Sequence, residues 1–275
     1  ALVFAFTKAT FLLYEPHSRT PLLGVEKMDS LSTSKIKRFL QCPRSFEDEY
    51  LMKNKGQPSE AIMIGKIYHE VKALDDQQKI ESKKNLPVDK KFDELISRMD
   101  RAYWESETRW VTPMADLIEQ LKSLIKLDHE SFALHYQPLL VEHWFEVEIE
   151  GIKIVGIWDL VTADGSIIDH KVFSRTPSQS EVDKDIQLSI YSLGYRMKYG
   201  ELENGLRFNA LVKNKNPKAV VLDTSRTTEQ LEWTAKMIVD VHSAIETGCF
   251  PPNPTGWWCD QRFCNAYDRC MATTL

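Results

Sequence analysis

The chain has no apolar run long enough to cross a bilayer, so no membrane-spanning helix is expected. It has no surplus of positive charge: 35 Lys and Arg against 40 Asp and Glu leave a net charge of −5. That excludes a globally basic nucleic-acid binder but not a local basic patch, because the field in a groove depends on the charges around it. Lys53-Asn54-Lys55, Lys83-Lys84, Lys90-Lys91 and Lys213-Asn214-Lys215 with Lys218 are candidates, and each reads first as a solvated loop. Cysteine is scarce and odd in number, five in all, which argues against a disulfide framework. Internal repeats and low-complexity segments are absent. The apolar opening Ala1–Tyr14 is interrupted by Lys8 and lacks a basic leader and a small-residue cleavage site, so a signal peptide is not expected. Met28-Asp29-Ser30-Leu31-Ser32-Thr33 has the texture of a start, which would make residues 1–27 an extension outside the core fold.

What remains is an ordinary globular composition over 275 residues, enough to bury a sizeable core. Ser32 or Thr33 can cap a short helix with Ile36, Phe39 and Leu40 on one face; Cys42-Pro43-Arg44 ends it, and a second short helix follows near Phe46–Met52. Ala61–Leu74 has helical spacing of Ile64, Ile67, Val71 and Leu74, whereas the polar, lysine-rich residues 75–90 read as an exposed loop. Phe92–Glu107 and Pro113–Tyr136 read as amphipathic helices. Strands are expected over Leu139–Glu150, through a hairpin to Phe173, and again at Arg207–Val212 and Ala219–Leu222. Helices are expected near Asp183–Met197 and over Thr227–Thr247. This order favours a single α/β domain, residues 28–275, with a mixed sheet. It has a helical part at about 60–137, a core at about 138–247 and a cysteine-rich tail at 248–275.

The most informative stretch is Gly156-Ile157-Trp158-Asp159 through Asp164-Gly165 to Asp169-His170-Lys171. Two apolar runs flank an Asp-Gly turn signal, as in a β-hairpin. Strand side chains alternate faces, so the loop length decides whether the two aspartates meet. A two-residue turn would set Asp159 opposite His170 and part them. A three-residue loop, Asp164-Gly165-Ser166, would set Asp159 opposite Lys171 and gather Asp159, Asp169 and Lys171 on one face. An odd-length loop or a bulge is therefore expected, with Gly165 supplying a left-handed residue. Two carboxylates and an ammonium at one point are the groups that metal-assisted phosphodiester hydrolysis needs. A surface hairpin with a charged wet face is the plainer alternative.

Other features are weak singly. His69 shares a helix face with Gly65, whose small size could let that helix approach a sheet or a substrate closely. Gln187 and Tyr191 are i, i+4 on one helix. Glu142, Glu146, Glu148 and Glu150 read as a wet strand face. Cys259-x4-Cys264-x5-Cys270, among Trp257, Trp258, Phe263 and Tyr267, can join Cys42 as four thiolates for zinc or an iron–sulfur cluster. The wide 1 + 3 spacing leans towards iron–sulfur. Such a cluster would clip the tail to the N-terminal helical element across a very long loop. Cys249 reads as a buried bystander.

Taken in order, Ser32-Thr33-Ser34-Lys35-Ile36 through Cys42-Pro43-Arg44-Ser45-Phe46, Gly65-x3-His69, Gly156-x2-Asp159, Asp169-His170-Lys171, Gln187-x3-Tyr191 and the three terminal cysteines form an ordered set. This set resembles the RecB-like branch of the PD-(D/E)XK nuclease superfamily. It is similar in particular to iron–sulfur exonucleases related to the AddB nuclease domain, to CRISPR-adaptation nucleases and to phage exonucleases. The first gap of the terminal cysteines is x4 where many relatives have x2. The resemblance implies a restriction-endonuclease-like mixed sheet flanked by helices. It implies a Mg²⁺ or Mn²⁺ held by His69, Asp159, Asp169 and the backbone carbonyl of His170, with Lys171 as catalytic lysine. Gln187 and Tyr191 would orient the site, and Cys42, Cys259, Cys264 and Cys270 would hold a [4Fe–4S] cluster, with Zn²⁺ as the alternative. The implied partner is DNA, single-stranded or with single-stranded ends, and the implied activity a deoxyribonuclease of the exonuclease type. The setting would be recombination, repair or phage and CRISPR DNA processing in the cytoplasm of a bacterial, archaeal or phage-infected cell. A non-catalytic nucleic-acid-binding module or a zinc-stabilised interaction module on the same fold is the alternative.

Overall fold

The computed structural model describes residues 28–272, so the expectation for residues 1–27 lies outside the described residues. The chain opens with strand β1 (Leu31–Ser32) and helix α1 (Thr33–Gln41), whose N-cap is Ser32, its hydroxyl accepting from the Lys35 amide. Ile36 and Phe39 are buried as their spacing suggests, but Leu40 is exposed. Cys42 leaves the helix in an extended conformation and α2 (Pro43–Phe46) restarts with proline at its first turn, continuing into a π-helical turn at Glu47–Leu51.

Three long helices follow: α3 (Glu60–Ser82), α4 (Val88–Glu105) and α5 (Met114–Ser131). Helix α3 runs on through residues 75–82, which the sequence reading takes for an exposed loop. Asp75, Asp76 and Lys79 in that stretch are buried and paired, whereas Gln77, Glu81 and Ser82 face solvent. Lys72 lies 2.8 Å from Asp76 and bonds the Tyr136 hydroxyl, Lys91 of α4 lies 2.5 Å from Asp75, and Tyr68 donates to Asp128 of α5 at 2.8 Å. Burial works against the Lys72 ammonium, but Asp128, Asp76 and Asp75 outweigh it and hold its pKa above the usual range. Lys72, Lys79 and Lys91 balance Asp75, Asp76 and Asp128, which lets charges sit in an interior that would reject any one of them alone.

The sheet has six strands: β1, β2 (Pro138–Ile149), β3 (Ile152–Thr162), β4 (Ile167–Phe173), β5 (Leu206–Val212) and β6 (Lys218–Thr224). The order is β1-β3-β4-β5-β6, with β2 also paired to β3. β1 is parallel to β3 and β5 to β4; the other pairs are antiparallel. Between β4 and β5 lie a short helix α6 (Gln179–Asp183) and α7 (Ile186–Tyr199); α8 (Thr228–Glu246) and a terminal α9 (Tyr267–Ala272) follow β6. One apolar core joins the sheet to α1, α7 and α8 through Phe145, Trp158, Ile190 and Ile238. A second packs α3, α4 and α5 together and meets β5 at Leu211. The expected fold class, a mixed α/β sheet flanked by helices, is what the chain adopts. No described helix is long and apolar enough to cross a membrane.

The ring of Phe145 is clamped. It stacks on Trp158 at 4.4 Å between centroids, and a Cβ placed at either Gly156 or Gly194 would run into it. Gly194→Ala is therefore expected to destabilise the protein. The helix propensity of alanine is worth about 1 kcal/mol in its favour, but overpacking a fixed ring costs about 1–3 kcal/mol. Calorimetry should show a melting temperature lower by a few degrees; an unchanged or higher value would mean the ring can move.

Candidate active site

The hairpin between β3 and β4 has the expected odd loop, displaced by one residue: Ala163-Asp164-Gly165, with Gly165 at φ +84°. The Thr162 amide donates to the Ser166 carbonyl at 2.9 Å, and the Ser166 amide donates to Thr162 Oγ1 at 3.1 Å and Asp164 Oδ1 at 3.2 Å. These side-chain acceptors close the turn one residue earlier than the Asp-Gly signal suggests. The register Leu160↔Ile168 and Val161↔Ile167 then brings Asp159 abreast of Asp169 instead of Lys171. Beyond Leu160 the two strands part. Asp159 Oδ2 accepts from the His170 amide at 2.9 Å, replacing a ladder carbonyl with a carboxylate.

His69, Asp159, Asp169 and Lys171 converge. His69 Nδ1 of α3 lies 3.6 Å from Asp159 Oδ2. Lys171 Nζ lies 2.5 Å from the buried Asp169 Oδ2, a close ion pair. Gln187 of α7 is the hub on the other side. Its amide nitrogen donates to Asp169 Oδ1 at 2.7 Å and lies 2.8 Å from the Tyr191 hydroxyl, and its oxygen accepts from Lys171 at 3.3 Å. The Gln187/Tyr191 pair therefore faces the acidic centre as its spacing suggests. The His170 side chain points away into the interior, and neither ring nitrogen has a partner. Burial and then the Lys72 charge push its pKa well below the usual range, so the ring is neutral.

One residue of this centre was not singled out from the sequence. Glu142 Oε1 lies 3.8 Å from His69 Nδ1, and donor atoms of His69, Glu142 and Asp159 all lie within 4.8 Å of one another. Glu142 sits at the register position opposite Asp159 with φ +44°, unusual for a residue with a Cβ. Its neighbours Glu146, Glu148 and Glu150 keep to the wet face. Strand alternation keeps Glu142 on the same exposed face, and its register position opposite Asp159 is what brings it to the centre. Gly65, by contrast, gives no close approach to the sheet: a Cβ there would meet nothing within 4 Å.

The electrostatics are those of a site short of positive charge. Asp159 is pushed up to about 7, first by burial and then by Asp169, against the opposing pull of His69 and Lys171. Burial lowers the His69 imidazole, but its hydrogen bond with Glu142 and the Asp159 and Asp169 charges raise it on balance. Burial also lowers Lys171, yet Asp169 and Asp159 raise it on balance, so it stays an ammonium. Carboxylate oxygens of Glu142 and Asp159 with the His69 imidazole, all within 4.8 Å of one another, fit a hard divalent cation such as Mg²⁺ or Mn²⁺.

The cysteines gather at the far end of α1. Cys42 is buried, and Cys259, Cys264 and Cys270 are half-buried. The Cys264 thiol is raised by burial and then by Cys42, Cys259 and Cys270, which places all four within electrostatic reach of one another. The tail is held to the N-terminal helices by polar contacts as well: Arg269 forks onto Asp48 at 2.7 and 2.5 Å, and the Asn253 side chain donates to the Gln41 carbonyl at 2.9 Å. Thiolates are the donors that zinc or an iron–sulfur cluster takes, but among the described residues no three of these sulfurs lie within 4.8 Å of one another. Cys249 is exposed, not buried, because it follows the last turn of α8 at the surface. Trp257 and Phe263 are also largely exposed.

No curated protein matches the chain by sequence. Among solved structures, a protein from Eubacterium rectale provisionally named an exonuclease superposes with a TM-score of 0.54 at 14% identity, covering 84% of this chain and 87% of that one. A structure named SSO0001 aligns with a TM-score of 0.44 at 13% identity over 90% of this chain and 88% of that one. The family model of the PD-(D/E)XK nuclease superfamily matches residues 30–271, nearly the whole described chain. With that span matched, the chain belongs to the PD-(D/E)XK nuclease superfamily.

Proposed function

We propose that the protein is a metal-dependent deoxyribonuclease that hydrolyses phosphodiester bonds as an exonuclease on single-stranded DNA or single-stranded ends. The observation that carries this is the convergence of His69, Asp159 and Asp169 beside the Lys171 ammonium, with Asp159 pushed up to about 7 by burial and by Asp169. His69, Asp159, Asp169 and the His170 carbonyl hold Mg²⁺ or Mn²⁺, and Glu142 stands close enough to join them. When bound, the ion polarises the scissile phosphate and lowers the pKa of a water molecule. Lys171 remains charged and faces negative charge developing on the phosphate. Gln187 fixes both the Asp169 carboxylate and the Lys171 ammonium through its two amide ends, and Tyr191 fixes Gln187 in turn. Cys42, Cys259, Cys264 and Cys270 hold a [4Fe–4S] cluster that clips the tail to α1. The superfamily membership and the exonuclease name given to the Eubacterium rectale relative support the reading.

Anaerobic digestion of end-labelled single- and double-stranded DNA with Mg²⁺ or Mn²⁺ tests it. Cleavage is expected to need the ion, to favour the single strand and to release short products from an end. Failure of the wild-type protein to cleave either DNA with either ion would leave a non-catalytic binding module as the better reading.

A further inference from the structure

Strand β3 is paired along one edge by β2, but its other edge has two different neighbours. β1 pairs with it at Ile154 and Val155, and β4 at Leu160 and Val161. Between them no described strand pairs with residues 156–159. A cleft of about 670 Å³ opens there instead, lined among others by Ser34 and Lys37 of α1, Trp144 of β2, Ile157 and Asp159 of β3, and Gln187 of α7. That volume is in the range of sites for drug-sized ligands, so it suits a short piece of one strand better than a duplex segment.

Two features of this cleft are not used by the centre described above. Trp144 is 53% exposed and Ile157, its direct cross-strand partner, is 45% exposed. Single exposed apolar residues are ordinary. These two are adjacent, line the cleft, and stand one same-face step, about 6.8 Å along the strands, from Glu142 and Asp159. The Trp144 backbone is fixed by the ladder, and its carbonyl accepts from Lys198 at 3.4 Å. The second feature is Lys37. Its ammonium donates to Gln187 Oε1 at 3.1 Å, the oxygen that also accepts from Lys171, and lies 3.6 Å from Asp185. An ammonium has three donors, so Lys37 keeps one for a phosphate. Asp169 itself is fully buried, and the cleft reaches the centre through Glu142, Asp159, Gln187 and Tyr191, which line it.

We infer that the cleft takes one unpaired strand, with Lys37 on the phosphate next to the scissile one and a base stacked on Trp144 against Ile157. This rests on the nuclease reading and adds the residues that make the site choose an unpaired strand. A ring can stack on a base only where the face of the base is uncovered, as it is in a single strand.

Binding of a short labelled oligothymidylate to the full chain, with Ca²⁺ replacing Mg²⁺ to prevent turnover, tests the assignment. Trp144→Ala is expected to weaken binding at least about fivefold, while Trp144→Phe keeps most of it. Binding of a blunt duplex stays unchanged in both. Lys37→Met weakens binding and lowers the slope of log affinity against log salt by about 0.7, the share of one single-strand phosphate. Trp104→Ala, exposed on α4 outside the cleft, serves as control. Wild-type affinity in Trp144→Ala, or equal losses on strand and duplex, would overturn the stacking assignment; an unchanged salt slope in Lys37→Met would overturn the phosphate contact. A wild-type protein that cleaves no DNA overturns the catalytic reading, and the binding series still decides the cleft.

Discussion

Replacing Asp169 with Asn is expected to lower kcat for DNA cleavage by about a thousandfold or more, because one substitution removes a carboxylate of the proposed metal site and the counter-charge of Lys171. The same substitution should alter how the protein responds to pH and metal. Asp159 is pushed up to about 7, well above the usual carboxylate range, by burial first and Asp169 second. A carboxyl whose pKa is raised in the folded state favours folding fully below its unfolded pKa, and that contribution is lost as pH rises through the folded value. The metal-free protein should thus lose up to about 4 kcal/mol of stability between about pH 4 and pH 7 from this group. A divalent cation competes with the proton for the same oxygens and cancels that loss. The rise in melting temperature on adding Mn²⁺ should accordingly be larger at pH 8 than at pH 6. Apparent metal affinity, read by titration calorimetry, should fall at least about tenfold per pH unit below about 7. His69 steepens this, because its raised imidazole must also lose a proton to bind a metal. Asp169→Asn should flatten both dependences. A metal-induced shift in melting temperature equal at both pH values would rule out this centre as the metal site.

Spacing carried much of the site. The parity of Asp159 and Asp169 about an odd loop, and the i, i+4 pair Gln187/Tyr191, are written in local periodicity, which survives folding unchanged. The apolar stripes of α3, α5 and α8 are legible for the same reason. What was not legible depends on partners distant in the chain. Residues 75–82 are as polar as a loop, and only distant partners, Lys91 for Asp75 and Tyr136 for Asp76, give their buried face its reason to be helical. Lys37 looks like any helix lysine until α7 places Gln187 against it 150 residues later in the chain. Glu142 lies in a run of acidic residues that alternate correctly for a wet strand, and only the pairing of β2 with β3, which sets it opposite Asp159, tells it from Glu146 and Glu148. The turn register also shifted by a residue because Thr162 and Asp164 side chains compete for the loop amides, a choice that the Asp-Gly signal alone does not settle.

Cys42→Ser is expected to be the most destabilising change in the chain. Cys42 and Cys259 bracket more than two hundred residues, and the cluster proposed for them would close that loop. In the chain-entropy account, closing a loop of this length restricts the unfolded ensemble by about 5 kcal/mol. For a domain of this size that corresponds to a melting temperature lower by about 10 °C or more. The polar contacts Arg269–Asp48 and Asn253–Gln41 would remain, but Arg269 is half exposed and its pair is open to solvent on one side. Such contacts contribute about 1 kcal/mol each and cannot replace the closure. The same variant should lose the visible charge-transfer absorbance of an anaerobic wild-type preparation and its bound iron. Stoichiometric zinc in a colourless wild-type preparation would replace the iron–sulfur assignment while keeping the clip. A Cys42→Ser protein with the wild-type melting temperature would remove the clip altogether. Activity should fall more slowly than stability at low temperature, because the contacts on Asp159 come from His69 and the His170 amide and not from Cys42. The carboxylates and Lys171 are positioned by β3, β4 and α7, none of which carries a cysteine of the set. Digestion assays on the variant at a temperature well below its transition would separate a structural clip from a cluster that takes part in the reaction.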